Sequence, residues 1–260
     1  MRDFTIDAYK TFLGSLTKKG YRTVCYTTFQ AFPPKLDEKV VVLRHDVDAL
    51  PQNSLAFAKL QAQMGLKGTY YFRTTTGSFD PEIIKTIAAL GHEIGYHYET
   101  MDTCRGNVDE AYRLFEKELN RFRAITKVST ICMHGSPLSK YDNRDLWKKY
   151  DYKQLDLIAE PYFDLDFERT AYLTDTGRRW NGNKVSVRDK PKAGTIVSKE
   201  FMQLNFKTTF QIVEAINNNK LPNHIMFTFH PQRWTDNVFL WCKELLLQNL
   251  KNSVKRLIAR

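Results

Sequence analysis

From Val40 onward the chain alternates short apolar runs with helical stretches of roughly a dozen residues, and this alternation most narrows what it can fold into. The run "VVVLRHDVDAL" (40–50) starts as a strand, and "NSLAFAKLQAQMG" follows as a helix closed by Gly65. Strand "GTYYFRT" leads to helix "DPEIIKTIAALG", with Asp80 placed to cap it and Pro81 in its first turn. Strand "EIGYHYE", helix "NVDEAYRLFEKELNRFRAI" and strand "STICMHGS" continue the rhythm. Strands joined by helices imply βαβ crossovers, hence parallel strands with outer helices.

The rhythm breaks over 142–199, where Tyr, Asp, Arg and Gly are abundant and only "TAYLTDTG" and "KVSVRD" read as extended. It returns with helix "TTFQIVEAINNNK", strand "HIMFTFHPQ" and an amphipathic helix from about residue 236. Ahead of the alternation, 7–19 has helical spacing and stops at Gly20, and "YRTVCYTTF" reads as a strand. No repeat or linker is visible. The reading is one domain over 1–260, with 1–38 as an N-terminal extension and 142–199 as a loop-rich insertion.

Composition removes several classes. No window approaches 18 uninterrupted apolar residues, so no transmembrane segment is expected, and the charged N-terminus lacks the apolar stretch of a signal peptide. The four cysteines are scattered without a CxxC pair, which fits a reducing compartment and a cytoplasmic location. The net charge of +10 suits nucleic acid, anionic lipid or a phosphorylated substrate, but equally an ordinary lysine-rich surface. With no nucleic-acid motif beside it, no nucleic-acid partner is expected.

In parallel α/β folds chemistry gathers at the carboxyl ends of the strands. His45, His97, His134 and His230 each end an apolar run, whereas His92 and His224 precede theirs and read as structural. With Asp46, Asp48 and Glu99 beside them, the strand-end histidines suit one divalent metal ion, Zn foremost, with Co, Ni or Mn as alternatives. A metal that polarises a carbonyl, a carboxylate that takes a proton and a histidine that gives one would together hydrolyse an amide or ester.

These motifs resemble the polysaccharide deacetylases, the NodB-homology group of metal-dependent carbohydrate esterases (family 4), over about 40–234. "GHEIGYH" matches that family's phrase closely, and "RHDVD" and "FTFHPQRW" fall at its first and last motifs. The resemblance implies a distorted (β/α) barrel with fewer than eight strands and removal of N-acetyl groups from sugars. It makes Asp46 the base, Asp48 a metal ligand, His97 the first metal histidine and His230 the general acid. The family's second metal histidine is replaced by Met101, leaving Glu99, Asp102 or His134 as candidates, and its R-P-P-Y motif is replaced by "MHGSP". Asp175, Arg178, Arg179 and Trp180 of "LTDTGRRW" lie where the family orients its base and lines its groove. Arg44, His45, Tyr98, Arg233 and Trp234 complete the expected substrate contacts. Together "RHDVD", "HYE", "MHGSP", "TDTGRRW" and "HPQRW" mark an uncharacterised branch, similar to companions of surface-polysaccharide synthesis. The substrate expected is an N-acetylated sugar, nucleotide- or lipid-linked. Two rivals stand beside it: an amidohydrolase on a ureide or cyclic imide, and a sugar-binding protein that has lost catalysis.

Overall fold

A computed structural model describes residues 2–136, 139–180 and 194–258 of the chain. Among the described residues seven strands build one sheet: β1 (Arg22–Val24), β2 (Val40–Val47), β3 (Thr69–Phe72), β4 (Glu93–Tyr98), β5 (Ile131–Met133), β6 (Ala171–Thr174) and β7 (His224–Phe229). Their spatial order is β5-β4-β3-β2-β7-β6, and every pairing is parallel. One edge of β2 is shared, with β1 beside Val40–Val42 and β3 beside the residues from Arg44 to Val47, while β7 runs along the other edge. Among the described residues no pairing joins β5 to β6, so the sheet curls into an open, distorted barrel of fewer than eight strands.

Because side chains alternate along a strand, β2 feeds two cores. Val41, Leu43 and Val47 pack outward with helices α1 (Ile6–Lys18) and α3 (Pro51–Gln63), whereas Val40 and Val42 meet Tyr26, Ala159, Phe167 and Met226 inside the curl. All eight residues of β2 are buried, which is why it reads as a nearly continuous apolar run rather than an alternating one. Around the outside lie α4 (Pro81–Ala89), α6 (Val108–Arg123) and α9 (Thr209–Asn217), with short helices α2 (Tyr26–Ala31), α5 (Thr100–Thr103), α7 (Pro161–Asp164) and α8 (Lys199–Met202) and a final α10 (Val238–Ile258). Asp80 caps α4 as its sequence predicts, accepting from the backbone N–H of Glu82 and Ile83.

Two segments differ from expectation. The strand predicted over 21–29 stops at Val24, and α2 begins two residues later. Thr69 Oγ1 accepts from Tyr26 N at 2.9 Å and Glu93 Oε2 from Thr27 N at 3.0 Å, so side chains of β3 and β4 take the N–H groups that a strand would have paired. A carboxylate at a helix start is favourable for the helix dipole as well. Within the loop-rich stretch, Ala171–Thr174 is the full edge strand β6, paired along β7, while "KVSVRD" lies outside the described residues.

His92 and His224 sit at the amino-terminal edge of the sheet. His92 Nδ1 accepts from Gly68 N at 3.1 Å while Nε2 donates to the carbonyl of Ala58 at 2.9 Å, and His224 Nε2 donates to that of Lys35 at 2.9 Å.

Candidate active site

At the carboxyl end of the sheet, Arg44, Asp46 and Asp48 share the inward parity of β2, and β4 contributes His97 beside them. Asp48 follows the last residue of β2, and the chain then turns through Leu50, held at φ 51°, into α3. His134 follows β5 and is tied to β4 by its backbone N–H, which donates to the Tyr98 carbonyl at 2.8 Å. His97 Nε2 lies 3.5 Å and His134 Nε2 3.6 Å from the same oxygen, Asp48 Oδ1.

The other nitrogens of both rings are anchored. His97 Nδ1 donates to the Cys132 carbonyl at 2.9 Å, which leaves Nε2 with its lone pair toward Asp48. His134 Nδ1 faces Glu99 Oε2 at 3.2 Å and Ser136 Oγ at 3.2 Å. An imidazole held from behind by a carbonyl or carboxylate is the usual arrangement of a metal-ligating histidine. Asp48 Oδ1 is buried and has no hydrogen-bond partner among the described residues. Burial would raise the Asp48 carboxyl, but the imidazoles of His97, His134 and His230 around it hold it well below the usual range. An ionised oxygen facing two imidazole nitrogens is a set of donors that could hold a cation. Ligand atoms about 2.0–2.2 Å from a tetrahedral ion stand roughly 3.4 Å apart, close to the spacings here. These three residues therefore fit a divalent ion. A second possible group, Asp46, His97 and Cys132, shares His97, and in it both oxygens of Asp46 also accept from Arg44.

Asp46 lies beside this trio, its Oδ2 3.9 Å from His97 Nε2. Arg44, wholly buried, grips it bidentately, Nε to Oδ1 at 2.8 Å and Nη2 to Oδ2 at 2.6 Å. Each carboxylate oxygen keeps a lone pair, so Asp46 is fixed in orientation and still able to accept.

His230 follows β7. Its Nδ1 meets Asp175 Oδ1 at 2.5 Å and its backbone N–H donates to Asp175 Oδ2 at 3.0 Å. Asp175 also accepts from Arg233 Nη1 at 3.1 Å and Trp234 Nε1 at 2.7 Å, so it is wholly buried yet saturated with donors. Burial and Arg233 would lower the His230 pKa, but the Asp175 carboxylate, its hydrogen bond and Asp48 outweigh them and raise it.

The remaining expected site residues fall elsewhere. His45 faces the outer helices, stacked on Tyr70 with ring centroids 4.1 Å apart and bonded to Tyr9 and Gln61, because the parity that turns Arg44 and Asp46 inward turns it outward. Burial pushes its pKa down to about 3. Tyr98 shares the outward parity on β4 and accepts from Trp147 Nε1 at 2.8 Å. Trp180 packs edge-on against Phe227 and Phe229, and Arg178 lies over the rings of Phe4 and Trp241, with Arg179 half-buried beside it. Arg233 and Trp234 meet Asp175 rather than the cleft. Glu99 is held by Arg73, Nη2 to Oε2 at 2.6 Å, so it stands behind His134 instead of beside Asp48. His134 and Arg73 bring its pKa down to about 2 against the upward push of burial.

Three residues of the site were not singled out from the sequence. Arg73 ends β3 as the histidines end their strands, a signal that was there to read. Gln232 Nε2 donates to Asp48 Oδ2 at 3.0 Å, and it lies in the "HPQRW" phrase. Glu160 sits wholly buried below Arg44, accepting from the backbone N–H of Met133 at 3.0 Å and Tyr162 at 2.6 Å. Burial raises its pKa to about 7 despite those bonds and the nearby Arg44 and Arg144. The folded chain thus holds a proton that the unfolded chain releases near its ordinary 4.5. The stability this contributes is full below that value and is lost as pH rises through about 7, a swing on the order of 3 kcal/mol. Glu160→Gln cannot titrate, so its stability deficit relative to the parent should shrink as urea unfolding is repeated from pH 5 to pH 8. A deficit constant with pH would assign Glu160 an ordinary pKa.

No family model matches the chain, and no curated protein does. Solved structures do. A family 4 carbohydrate esterase pseudoenzyme of Bacillus anthracis is 12% identical with a TM-score of 0.45, over 85% of this chain and 63% of that one. The chain thus spans just under two thirds of that structure's length. A family 4 carbohydrate esterase of the same organism is 9% identical with a TM-score of 0.42, over 94% of this chain and 86% of that one. PdaA of Bacillus subtilis, also a family 4 carbohydrate esterase, is 12% identical with a TM-score of 0.40, over 92% and 83%.

Proposed function

We propose that the chain is a metal-dependent hydrolase that removes the acetyl group from an N-acetylated sugar, a polysaccharide or a nucleotide- or lipid-linked glycan precursor. The observation that carries this reading is Asp48 Oδ1, without a hydrogen-bond partner among the described residues, facing His97 Nε2 and His134 Nε2, with the gripped Asp46 carboxylate and the carboxylate-backed His230 nearby. Asp48, His97 and His134 would hold the ion, and two imidazoles with one carboxylate suit Zn, with Co, Ni or Mn as alternatives. When bound, such an ion polarises the acyl carbonyl and makes water more acidic.

The chain's own residues supply the rest. Asp46 takes the proton of the attacking water, and Arg44 keeps that carboxylate aimed. His230, protonated at Nε2 and held at Nδ1 by Asp175, gives a proton to the departing nitrogen, which is a poor leaving group without one. Arg73 and Glu99 act through His134 by fixing its ring. Of the aromatic residues expected at the substrate, Tyr98, Trp180 and Trp234 are buried.

The direct test loads the purified chain with each metal in turn and measures acetate release from free, nucleotide-linked and lipid-linked N-acetyl sugars. Ureides and cyclic imides are assayed in parallel. Acetate release from a sugar is expected. Turnover confined to the small amides would move the reading to a non-sugar amidohydrolase, and sugar binding without turnover would make it a binding protein.

A further inference from the structure

Helix α10 packs with its polar side inward. Gln248 and Asn252 are only 4% and 6% exposed. Gln248 Nε2 donates to Asn252 Oδ1 at 2.9 Å, and Asn252 Nδ2 donates to the Gly177 carbonyl at 2.9 Å. Trp241 and Leu245 are partly buried, but most of its apolar side chains are exposed: Phe239 76%, Leu246 70% and Leu250 65%, with Val238, Leu240 and Leu247 at 60%, 50% and 43%. Phe239, Leu246 and Leu250 stand seven and four residues apart, which puts them on one stripe of the helix. No described residue of α10 belongs to either hydrophobic core. Scattered exposed leucines need no explanation, but a continuous stripe on one helix does.

Charge indicates what covers it. Lys243 precedes Leu246 by three residues, Lys251 follows Leu247 by four, and both are exposed. The helix's one acid, Glu244, is half-buried and interacts with Arg178 on the inward side. A second copy of the chain would bring the same lysines and the same net charge of +10 against this face. We propose that α10 seats the protein on an anionic lipid surface, its leucine stripe at the boundary of headgroups and acyl chains and its lysines among the lipid phosphates. No helix of the described residues is long and apolar enough to cross a membrane, so the contact is peripheral. The seat also adjoins the candidate active site: Asn252 holds Gly177 and Arg178 Nη1 donates to the Trp241 carbonyl, on the turn that begins at Asp175. This inference does not depend on the reaction proposed above.

The test is sedimentation of the full chain with vesicles of phosphatidylcholine alone and of equal parts phosphatidylcholine and phosphatidylglycerol. The chain should partition onto the anionic vesicles and not onto the neutral ones. Combining Phe239→Ser, Leu246→Ser and Leu250→Ser leaves the charge unchanged and should weaken that partition at least about tenfold. Combining Lys243→Glu and Lys251→Glu should weaken it by a similar factor. Far-ultraviolet circular dichroism checks that these surface variants keep the fold. The proposal is overturned if the chain stays in the supernatant, or if the serine variant binds as the parent does, which would mean general cationic attraction. It is overturned equally if light scattering finds a dimer that the serine variant splits, which would make the stripe an interface between copies.

Discussion

His97→Ala should leave the chain unable to retain a divalent ion, with Zn affinity lower by about three orders of magnitude or more. The trio offers only three donors, so losing one leaves Asp48 and His134 to hold the ion with two. That loss should exceed the roughly 10–100-fold effect typical of removing a group that merely backs a ligand. Glu99→Ala provides that comparison within the same site, because Glu99 meets His134 at Nδ1 and not at the nitrogen facing Asp48. Competition with a chromophoric chelator measures both variants. Cys132→Ala discriminates between the two possible donor groups, since Cys132 belongs only to the one containing Asp46. An affinity unchanged in Cys132→Ala and lost in His97→Ala places the ion at Asp48. If Cys132→Ala loses the ion while His134→Ala keeps it, the ion sits against Asp46, and Asp46 cannot serve as the base.

The sequence made some of this arrangement visible and hid the rest for identifiable reasons. Strand ends of a parallel sheet converge by geometry, so noting which histidines end an apolar run was enough to name His97, His134 and His230 as neighbours of Asp48. The same rule with one refinement would have separated His45. Arg44, Asp46 and Asp48 share one parity of β2, and His45 has the other, a distinction that needs only the two-residue period of a strand. The bidentate grip of Arg44 on Asp46 follows from that shared parity as well. The contact of Asp175 with His230, 55 residues on, is long-range: it forms because the Asp175 backbone N–H donates to the Thr228 carbonyl as β6 runs beside β7. No local pattern encodes that pairing. The start of α2 was hidden in the same way, since Thr69 and Glu93 cap it from strands far along the chain.

His230→Ala should keep its metal and its fold while kcat falls by about 10²–10⁴, the usual contribution of a general acid. The imidazole sits where Asp48 senses its charge, yet its Nδ1 is committed to Asp175, which leaves Nε2 to deliver the proton. A donor of this kind acts only while protonated, so the rate should fall as pH rises through its pKa, while the acid limb traces the base. Asp175 raises that pKa against burial and Arg233. Asp175→Asn should therefore move the alkaline limb to lower pH, in addition to slowing turnover through looser positioning of the ring. The sign follows because removing a neighbouring negative charge favours the neutral imidazole. Asp175 also accepts from Arg233 and Trp234, so thermal unfolding of the variant must be measured beside its rate profile. A purely structural role for the pair would lower kcat without moving either limb. If His230→Ala instead releases the metal, His230 is itself a ligand, and the proton must come from another side chain, His134 being the first to test.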